Sequence, residues 1–230
     1  MNSSMKIGVF GTGVVGRTVA AKLGELGHQL FVGTRDPGET LARSNGDSFG
    51  NPPFKVWREQ HADFGFGTFA QAATHGELLV NATVGEGAIT ALQLAGAANL
   101  AGKVLMDLSN PLDFSRGMPP SLTVCNTDSL GEQIQRAFPA VRVVKTLNTV
   151  TAHLMVAPRL LADGAHTIFV SGNDADAKSQ VTELLQSFGW QDIVDLGDIT
   201  TARGTEMMLP IWVRLWGVTR TPMFSFKLVR

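Results

Sequence analysis

Residues near the start of the 230-residue chain have the spacing of a dinucleotide-binding loop. Gly11, Gly13 and Gly16 form the pattern G-x-G-x-x-G directly after an apolar run at Lys6–Phe10 and directly before a helical pattern. The first glycine of such a loop permits the turn, the second lets a pyrophosphate approach the backbone, and the third lets helix and strand pack closely. The helix N-terminus offers N–H groups to the phosphates. The spacing predicts dinucleotide binding, and a glycine turn without a ligand is the alternative.

The end of the second apolar run bears on which dinucleotide fits. A carboxylate at this place accepts from the ribose 2′-hydroxyl of NAD and repels a 2′-phosphate. Arg35 can instead bond a 2′-phosphate, and Thr34 can add a hydroxyl donor. Asp36 is the competing ribose ligand, but Pro37 beside it and Glu39 three residues later predict a helix N-cap with a capping-box partner. The sequence favours NADP over NAD, with Arg35 as a solvated surface charge as the alternative.

Three further segments place small or polar residues directly after apolar runs, at 81–87, 107–111 and 146–150. A doubly wound sheet binds its cofactor outside the carboxyl ends of its strands, so each segment can line that crevice. Ordinary turn chemistry explains each of them equally well, because Asn, Ser and Pro favour turns for local reasons.

Candidate acids and bases are few. His153 lies five residues after Asn148, near a predicted strand end, and Lys145 lies within a predicted strand, where exposure or a structural ion pair is the plainer interpretation. His28 follows Gly27 and is interpreted as part of a helix end. The sequence contains no G-x-S-x-G elbow, no H-E-x-x-H motif and no metal-ligand cluster. We therefore predict no catalytic side chain and no metal ligand. Hydride transfer between two redox rings requires close stacking more than it requires an acid or base.

Apolar runs of strand length alternate with helical segments in the order of an α/β, doubly wound (Rossmann) parallel sheet. Strands are predicted at Lys6–Phe10, Leu30–Val32, Leu78–Ala82, Val104–Leu108 and Val141–Leu147. Helices are predicted at Val14–Leu26, ending at a left-handed Gly27, and at Ala88–Leu100 and Ser129–Phe138.

Two regions depart from that alternation. The segment Leu41–Thr68, called the insertion below, is rich in Gly, Pro and Asn and has a candidate helix around Pro53–His61; it is interpreted as a surface excursion, with a substrate lid as the alternative. We place a domain boundary near residue 150, which gives an NADP-binding domain at 1–150 and a smaller α/β segment at 151–230 that packs on it. The later strands could equally extend the first sheet. In this second part the predicted elements are Thr151–Leu161, Thr167–Ser171, Ala175–Phe188, Ile193–Leu196 and an amphipathic segment at Thr200–Gly217.

Composition excludes several classes. With 44% hydrophobic and 17% charged residues the chain can bury a core, which excludes disorder. A formal net charge of −1 gives no basic excess for nucleic acid. The polar start Met1–Ser4 and the glycines after it do not form a signal peptide, and no apolar run is long enough to span a membrane. Together with the single cysteine, Cys125, this predicts a cytoplasmic protein that binds no membrane.

Five motifs together resemble the F420-dependent NADP oxidoreductases. They are Gly-Thr-Gly-Val-Val-Gly at 11–16, Gly-Thr-Arg-Asp-Pro at 33–37, Asp-Leu-Ser-Asn-Pro-Leu at 107–112, Val-Val-Lys-Thr-Leu-Asn-Thr-Val at 143–150 and Ala-Arg-Gly-Thr-Glu at 202–206. The pattern is also similar to the cytosolic reductase domain of the STEAP metalloreductases, in which a flavin accepts the hydride. The resemblance differs from the archaeal F420 enzymes at Asn148, where they carry a histidine, and in the length of the insertion.

The resemblance implies a role for particular residues. The pyrophosphate would be held by Thr12, Gly13, Val14 and Val15, and the 2′-phosphate by Thr34 and Arg35. The nicotinamide side would be lined by Ala82, Thr83, Ser109, Asn110 and Asn148. The deazaflavin or flavin would lie against Thr205, Met207 and Leu209.

The expected function is hydride transfer between NADP(H) and F420 or a flavin. One alternative is an NADP-dependent reductase of a small carbonyl or imine, with His153 or Lys145 as the proton donor. Another is an NADP-sensing domain without activity. The apolar run at 207–212 suits a flat ring, the partner in a homodimer, or ordinary core.

Overall fold

The computed structural model describes residues 4–46 and 50–230. The predicted polar start is therefore described only at Ser4, and residues 47–49 of the insertion lie outside the described parts.

Eight strands form one sheet in the order β10-β9-β8-β5-β4-β1-β2-β3. They are β1 (Lys6–Phe10), β2 (Gln29–Thr34), β3 (Gly65–Thr68), β4 (Leu78–Asn81), β5 (Val104–Asp107), β8 (Arg142–Thr146), β9 (Thr167–Ser171) and β10 (Asp192–Asp195). A separate antiparallel pair is formed by β6 (Leu112–Asp113) and β7 (Ser121–Leu122).

Neighbouring strands of the large sheet are parallel except where β9 pairs antiparallel with β8. The order β3-β2-β1-β4-β5-β8 is that of a doubly wound fold, which confirms the predicted fold class. The strand order reverses between β1 and β4, and ligands of such sheets bind outside the carboxyl ends of the strands at that point. The later strands β9 and β10 extend the first sheet, while the proposed division at residue 150 stays a prediction.

Helices cover both faces of the sheet. The first half of the chain contains α1 (Val14–Glu25), α2 (Pro37–Ala42), α3 (Phe54–Gln60), α4 (Phe69–His75), α5 (Gly85–Ala95) and α6 (Ala97–Leu100). The second half contains α7 (Leu130–Ala137), α8 (Ala152–Val156), α9 (Ala175–Phe188), α10 (Ala202–Met207) and α11 (Leu209–Thr219). Three 3₁₀ turns lie at Pro158–Leu160, Ala162–Gly164 and Ile199–Thr201.

The core lies in two layers, one on each face of the sheet. Val9 and Val80 belong to one apolar cluster, and their chain neighbours Phe10 and Leu79 belong to the other. This alternation follows from the two-residue period of a strand, in which successive side chains point to opposite faces. Both faces are covered, so β4 and β5 are buried along their whole length, as expected for a parallel sheet between helices.

Most predicted elements are present, and the differences have local causes. The left-handed Gly27 is confirmed, with φ +87°. The predicted helix Ala88–Leu100 begins earlier, at Gly85, and is broken at Gly96, which has φ +87° and separates α5 from α6. The predicted helix Thr151–Leu161 ends at Val156, and a 3₁₀ turn follows at Pro158, since proline has no N–H to continue an α-helix.

The edge strand β3 was not predicted. It lies at the end of the insertion, and its four residues include Gly65 and Gly67, which lower the propensity for a strand. The predicted single segment Thr200–Gly217 is divided into a 3₁₀ turn, α10 and α11. Within residues 4–46 and 50–230, no helix combines the length and the apolar character that crossing a bilayer demands.

Candidate functional site

The glycine loop between β1 and α1 has the geometry that its spacing predicts. Gly11 has φ +118°, and its N–H donates to the Gly33 carbonyl oxygen at 3.0 Å, so the loop turns sharply beside β2. A side chain at Gly16 would collide with the Gly11 carbonyl oxygen, because helix and loop pack closely there. No atom lies within 4 Å of the place that a Cβ of Gly13 would occupy. The loop therefore fits a pyrophosphate at Gly13.

Helix α1 begins directly at this loop. Gly13 is its N-cap and has no side chain to satisfy the free N–H groups, and the first turn contains no acidic residue. The helix is 12 residues long, so its N-terminus offers unpaired N–H groups and a partial positive charge. Thr12, Val14 and Val15 lie partly exposed around it. Their assignment to the pyrophosphate stays a prediction that this geometry suits.

Arg35 and Asp36, the two charged residues that follow β2, differ in their contacts. The Asp36 carboxylate accepts from the Glu39 backbone N–H at 2.9 Å and caps α2, with Pro37 in the first turn, as the sequence predicts. The Glu39 side chain pairs with Arg43 at 2.9 Å. Arg35 is exposed and makes no hydrogen bond or ion pair with any residue of the described ranges. Its guanidinium is available to a ligand, whereas the Asp36 carboxylate is engaged.

Thr34 is buried beside the same strand end. The Thr40 hydroxyl donates to the Asp36 carbonyl oxygen at 2.7 Å and lies 3.0 Å from the Thr34 hydroxyl oxygen. Because the Thr40 proton is used on that carbonyl, the Thr34 hydroxyl donates to Thr40. The predicted role of Thr34 as a hydroxyl donor to a 2′-phosphate would require this bond to be exchanged.

Polar side chains at the ends of β4 and β5 hydrogen-bond to each other. The buried Asn81 amide donates to Asp107 at 2.7 Å and accepts from the Thr83 hydroxyl at 2.7 Å. The Ser109 hydroxyl donates to the same Asp107 carboxylate at 2.7 Å. Two segments that the sequence placed separately at the crevice are thus joined, and Ala82 lies beside them, its N–H donating to the β1 carbonyl of Phe10 at 2.9 Å.

Lys145 is the centre of a buried ion cluster at this edge of the sheet. Its side chain is 1% exposed, and its Nζ contacts Asp107 at 2.8 Å, Glu206 at 2.9 Å and the Ser109 carbonyl oxygen at 2.5 Å. Burial by itself would lower the pKa of Lys145, but the charges of Asp107 and Glu206 outweigh it and raise that pKa. All three ammonium protons have acceptors. The structural ion pair that the sequence left open is therefore what the structure contains.

Glu206 links this cluster to helices in the C-terminal part of the chain. Its carboxylate accepts from the backbone N–H groups of Leu130 at 2.8 Å and Gly131 at 3.0 Å, in addition to Lys145. One carboxylate of α10 thus satisfies free N–H groups at the start of α7. A second contact joins the same helices, because Arg203 donates two hydrogen bonds to Glu132.

Asn110, Asn148 and Thr205 meet at one place although they are far apart in the sequence. The Asn148 amide donates to the Asn110 side-chain oxygen at 3.0 Å and to the Thr205 carbonyl oxygen at 3.2 Å, and the Asn110 amide donates to the Asn148 carbonyl oxygen at 2.9 Å. Leu147, just before Asn148, is fully buried at φ +57°, a strained conformation for a leucine. The structure thus brings two residues predicted for the nicotinamide side, Asn110 and Asn148, together with Thr205, which was predicted for the acceptor side.

The other two predicted acceptor neighbours differ in exposure. Met207 is 37% exposed, so its thioether side chain can contact a ligand. Leu209 is 4% exposed and offers almost no surface. Both assignments stay predictions.

His153 takes no part in the hydrogen bonds described among Asn110, Asn148 and Thr205. It is exposed on α8 and lines a cleft of about 410 Å³ over the outer face of α1, together with Arg17, Trp57 and nine other residues of α1, the insertion and the end of α8. The sequence missed the role of Glu206 in the buried cluster. The signal was present in principle, because a lysine and an aspartate at the ends of neighbouring apolar strands must find partners when buried.

Residues 6–111 match the family described as NADP oxidoreductase, coenzyme F420-dependent. A crystal structure of a candidate F420-dependent NADP reductase from Arthrobacter sp. FB24 is 58% identical and has a TM-score of 0.94, with 99% of this chain and 100% of that chain covered. A reductive aminase from Aspergillus terreus in complex with NADPH and ethyl levulinate, 17% identical with a TM-score of 0.61, covers 95% of this chain and 63% of its own; it supports the fold alone.

Two metalloreductases are also similar. Metalloreductase STEAP3 of Rattus norvegicus is 28% identical over 90% of this chain, and metalloreductase STEAP2 of Homo sapiens is 26% identical over 94%. The chain spans 38% of the length of these curated relatives. The match to the Arthrobacter structure, in contrast, covers 99% of this chain and 100% of that chain. The family that residues 6–111 match is described as an NADP oxidoreductase. The chain therefore belongs to the F420-dependent NADP oxidoreductase family.

Proposed function

We propose that this chain transfers a hydride between NADPH and a flat redox ring, either the deazaflavin F420 or a flavin. The observation that carries the proposal is the contact of Asn110, Asn148 and Thr205. It joins the carboxyl ends of two strands to α10 and forms a polar wall beside the crevice. A nicotinamide along the strand ends and a second ring against α10 would meet there.

The NADP side of the proposal is supported by two features of the loop region. Gly13 leaves open space at the N-terminus of α1 for a pyrophosphate. Arg35 is exposed without a partner among the described residues, while Asp36, the residue that would favour NAD, caps α2. A free guanidinium beside an engaged carboxylate favours a ligand with a 2′-phosphate.

The acceptor side is supported by where the two candidate proton donors lie. Lys145 is buried and all its protons are engaged. His153 lines the cleft over α1, a cleft that none of Asn110, Asn148 and Thr205 lines. When bound, NADPH would supply the hydride from its nicotinamide ring. The residues of this chain would bind and orient the two rings and exclude water, which suffices for a hydride acceptor that needs no positioned acid. A carbonyl or imine substrate would need such an acid.

The test is an acceptor screen with the purified chain and NADPH. The loss of the near-ultraviolet absorbance of NADPH is followed with F420, FMN, FAD, a simple ketone and a cyclic imine. We expect oxidation with F420 or a flavin and not with the ketone or the imine. Turnover restricted to the carbonyl or imine would support a small-substrate reductase, and NADPH binding without any turnover would support a sensor.

A matched variant makes the screen specific for the proposed wall. Asn148→Leu removes the donor to Asn110 and Thr205 while keeping a similar side-chain volume. We expect it to lower kcat for the ring acceptor by about tenfold or more, since small misplacement of reacting groups is costly, and to leave the dissociation constant of NADPH within about twofold. Glu183→Gln, at an exposed position of α9, serves as the control without effect.

We further propose that the chain forms a homodimer through α11. Met207, Ile211 and Val218 expose apolar side chains on or next to this helix, and the charged group of Arg214 is turned back to the Pro210 carbonyl oxygen. A two-fold axis through this face would bury the same apolar surface from both copies. Sedimentation velocity should show a dimer for the wild type and a monomer for Val218→Glu.

A cytoplasmic location is proposed as well. Cys125 is exposed and forms no disulfide among the described residues, which suits a reducing compartment. Cell fractionation of the native host with an antibody to the chain would test it.

A further inference from the structure

Arg17 joins the glycine loop to the insertion. Its Nε donates to the Thr12 carbonyl oxygen at 2.7 Å, and its Nη1 donates to the Pro52 carbonyl oxygen at 2.6 Å. The guanidinium carbon lies 5.7 Å from the centre of the Phe54 ring, a cation–π distance. A single side chain on α1 therefore contacts both the loop that faces the pyrophosphate and the segment that precedes α3.

The contact with Thr12 fixes the orientation of the peptide unit between Thr12 and Gly13. Thr12 and Gly13 share one peptide unit, and in a trans peptide the carbonyl and the following N–H point in opposite directions. With the Thr12 carbonyl held by Arg17, the Gly13 N–H points the other way. Gly13 is exposed, with open space around it. Arg17 thus fixes the orientation of the Gly13 N–H, a hydrogen-bond donor in the loop where a pyrophosphate would lie.

The outer anchor of Arg17 is itself fixed to the core. Phe54, two residues after Pro52, is 4% exposed and packs against Phe66 of β3 with ring centres 4.9 Å apart and against Trp57 with ring centres 5.4 Å apart. Phe54 belongs to the apolar cluster on the α1 face of the sheet. The part of the insertion that contacts Arg17 is therefore held in place by buried aromatic packing. A segment that keeps Arg17 in position must itself be fixed in this way.

We propose that Arg17 is a positioning residue for the dinucleotide and that the insertion serves to hold it. Arg17 keeps the Thr12–Gly13 peptide in the orientation that binds pyrophosphate, and the Pro52 carbonyl and the Phe54 ring keep Arg17 in place. This role concerns the phosphate groups that NADPH and NADH share, so it is separate from the choice between them and independent of the hydride acceptor.

The test measures binding alone, by titration calorimetry of the full chain. Arg17→Met keeps much of the side-chain length and removes every donor. We expect it to weaken NADPH and NADH by about tenfold each, the size of one charge-assisted hydrogen bond, with the ratio of the two affinities unchanged. Adenosine 2′-monophosphate, which has the 2′-phosphate and no pyrophosphate, should bind Arg17→Met as it binds the wild type. An equal loss for this probe would overturn the proposal, because it would indicate general damage.

A second variant separates positioning from simple charge attraction. Arg17→Lys keeps the positive charge but lacks the planar fork that reaches two carbonyl groups. We expect it to remain several-fold weaker than the wild type for NADPH. Full affinity in Arg17→Lys would overturn the proposal, since charge alone would then be sufficient. Lys22→Met is the matched control: Lys22 also lies on α1, lines the same cleft and pairs with Glu25 at 3.4 Å, so its loss should leave NADPH affinity within about twofold.

Discussion

At the scale of single residues, the proposed preference for NADP depends on which of two adjacent charged side chains is engaged by the fold. Asp36 and Arg35 are neighbours at the end of β2, and either could meet the adenosine ribose. The capping bond from the Glu39 N–H to Asp36 engages the carboxylate, and Arg35 is left exposed. In the proposed site, local helix capping therefore decides which of the two charges is available to the adenosine ribose.

Arg35→Ala should weaken NADPH by about ten- to a hundredfold and leave NADH nearly unchanged, because only NADPH has the 2′-phosphate that a charge-assisted bond can reach. Dissociation constants for both cofactors measure this. Arg159→Ala, at an exposed position after α8, is the control with no expected change. Equal weakening of NADPH and NADH would show that Arg35 does not bind the 2′-phosphate.

At the scale of elements, the carboxyl edge of the sheet is joined to the C-terminal helices through buried charge. Asp107 on β5, Lys145 on β8 and Glu206 on α10 form one cluster, and Glu206 continues to the start of α7. A buried charge is costly unless it is paired and hydrogen-bonded. The cluster therefore permits few relative positions of α10 and the sheet, and Thr205, next to Glu206, receives its place beside Asn148 in this way.

Lys145→Met should destabilise the fold by about 3–5 kcal/mol, because it leaves Asp107 and Glu206 buried without their cation. Urea unfolding at neutral pH measures the loss, and Lys22→Met, which breaks an exposed pair, should change stability by less than about 0.5 kcal/mol. A loss in Lys145→Met no larger than the loss in Lys22→Met would contradict this account.

The pair between Arg203 and Glu132 should contribute to stability only above acid pH. The hydrogen bonds from Arg203, with the neighbouring Ser129, hold the pKa of Glu132 below its ordinary value. A carboxylate with a lowered folded-state pKa stabilises the fold above its unfolded pKa, about 4.3, and the contribution disappears as the pH falls through the folded value. The melting temperature of Arg203→Met should be below that of the wild type at pH 7, and the two should converge toward pH 3.

At the scale of the whole molecule, the crevice is assembled from the ends of β1, β2, β4, β5 and β8 and from α10. A ligand that contacts all of them binds the folded chain and not the unfolded one. At a concentration of 100 times its dissociation constant it should raise the free energy of unfolding by about 2.7 kcal/mol. We therefore expect NADPH to raise the melting temperature of the wild type.

Gly13→Val should remove that increase without changing the melting temperature of the free protein by much. The space around Gly13 is empty in the folded chain, so a side chain fits there, but it would occupy the approach of the pyrophosphate. Differential scanning fluorimetry with and without NADPH measures both quantities. An undiminished increase in Gly13→Val would exclude the glycine loop from the site.

Features set by short stretches of sequence could be predicted. The glycine loop, the cap at Asp36, the left-handed Gly27 and the parallel strands all depend on neighbouring residues or on two- and four-residue periods, which the sequence displays directly. The strand β3 was not predicted because its glycines have low strand propensity. It forms by pairing with β2, which the local sequence does not show.

The sequence alone thus determined the fold class, and it predicted the dinucleotide loop and the residues that would compete for the adenosine ribose. Only the tertiary structure decided which side chains meet across long separations: Asn110 with Asn148 and Thr205, Lys145 with Glu206, and Arg17 with Pro52. Arg17 and Pro52, for example, lie 35 residues apart along the chain, and Asn148 and Thr205 lie 57 residues apart. Such pairings follow from burial and the requirement that buried polar groups find partners, and no local pattern records them.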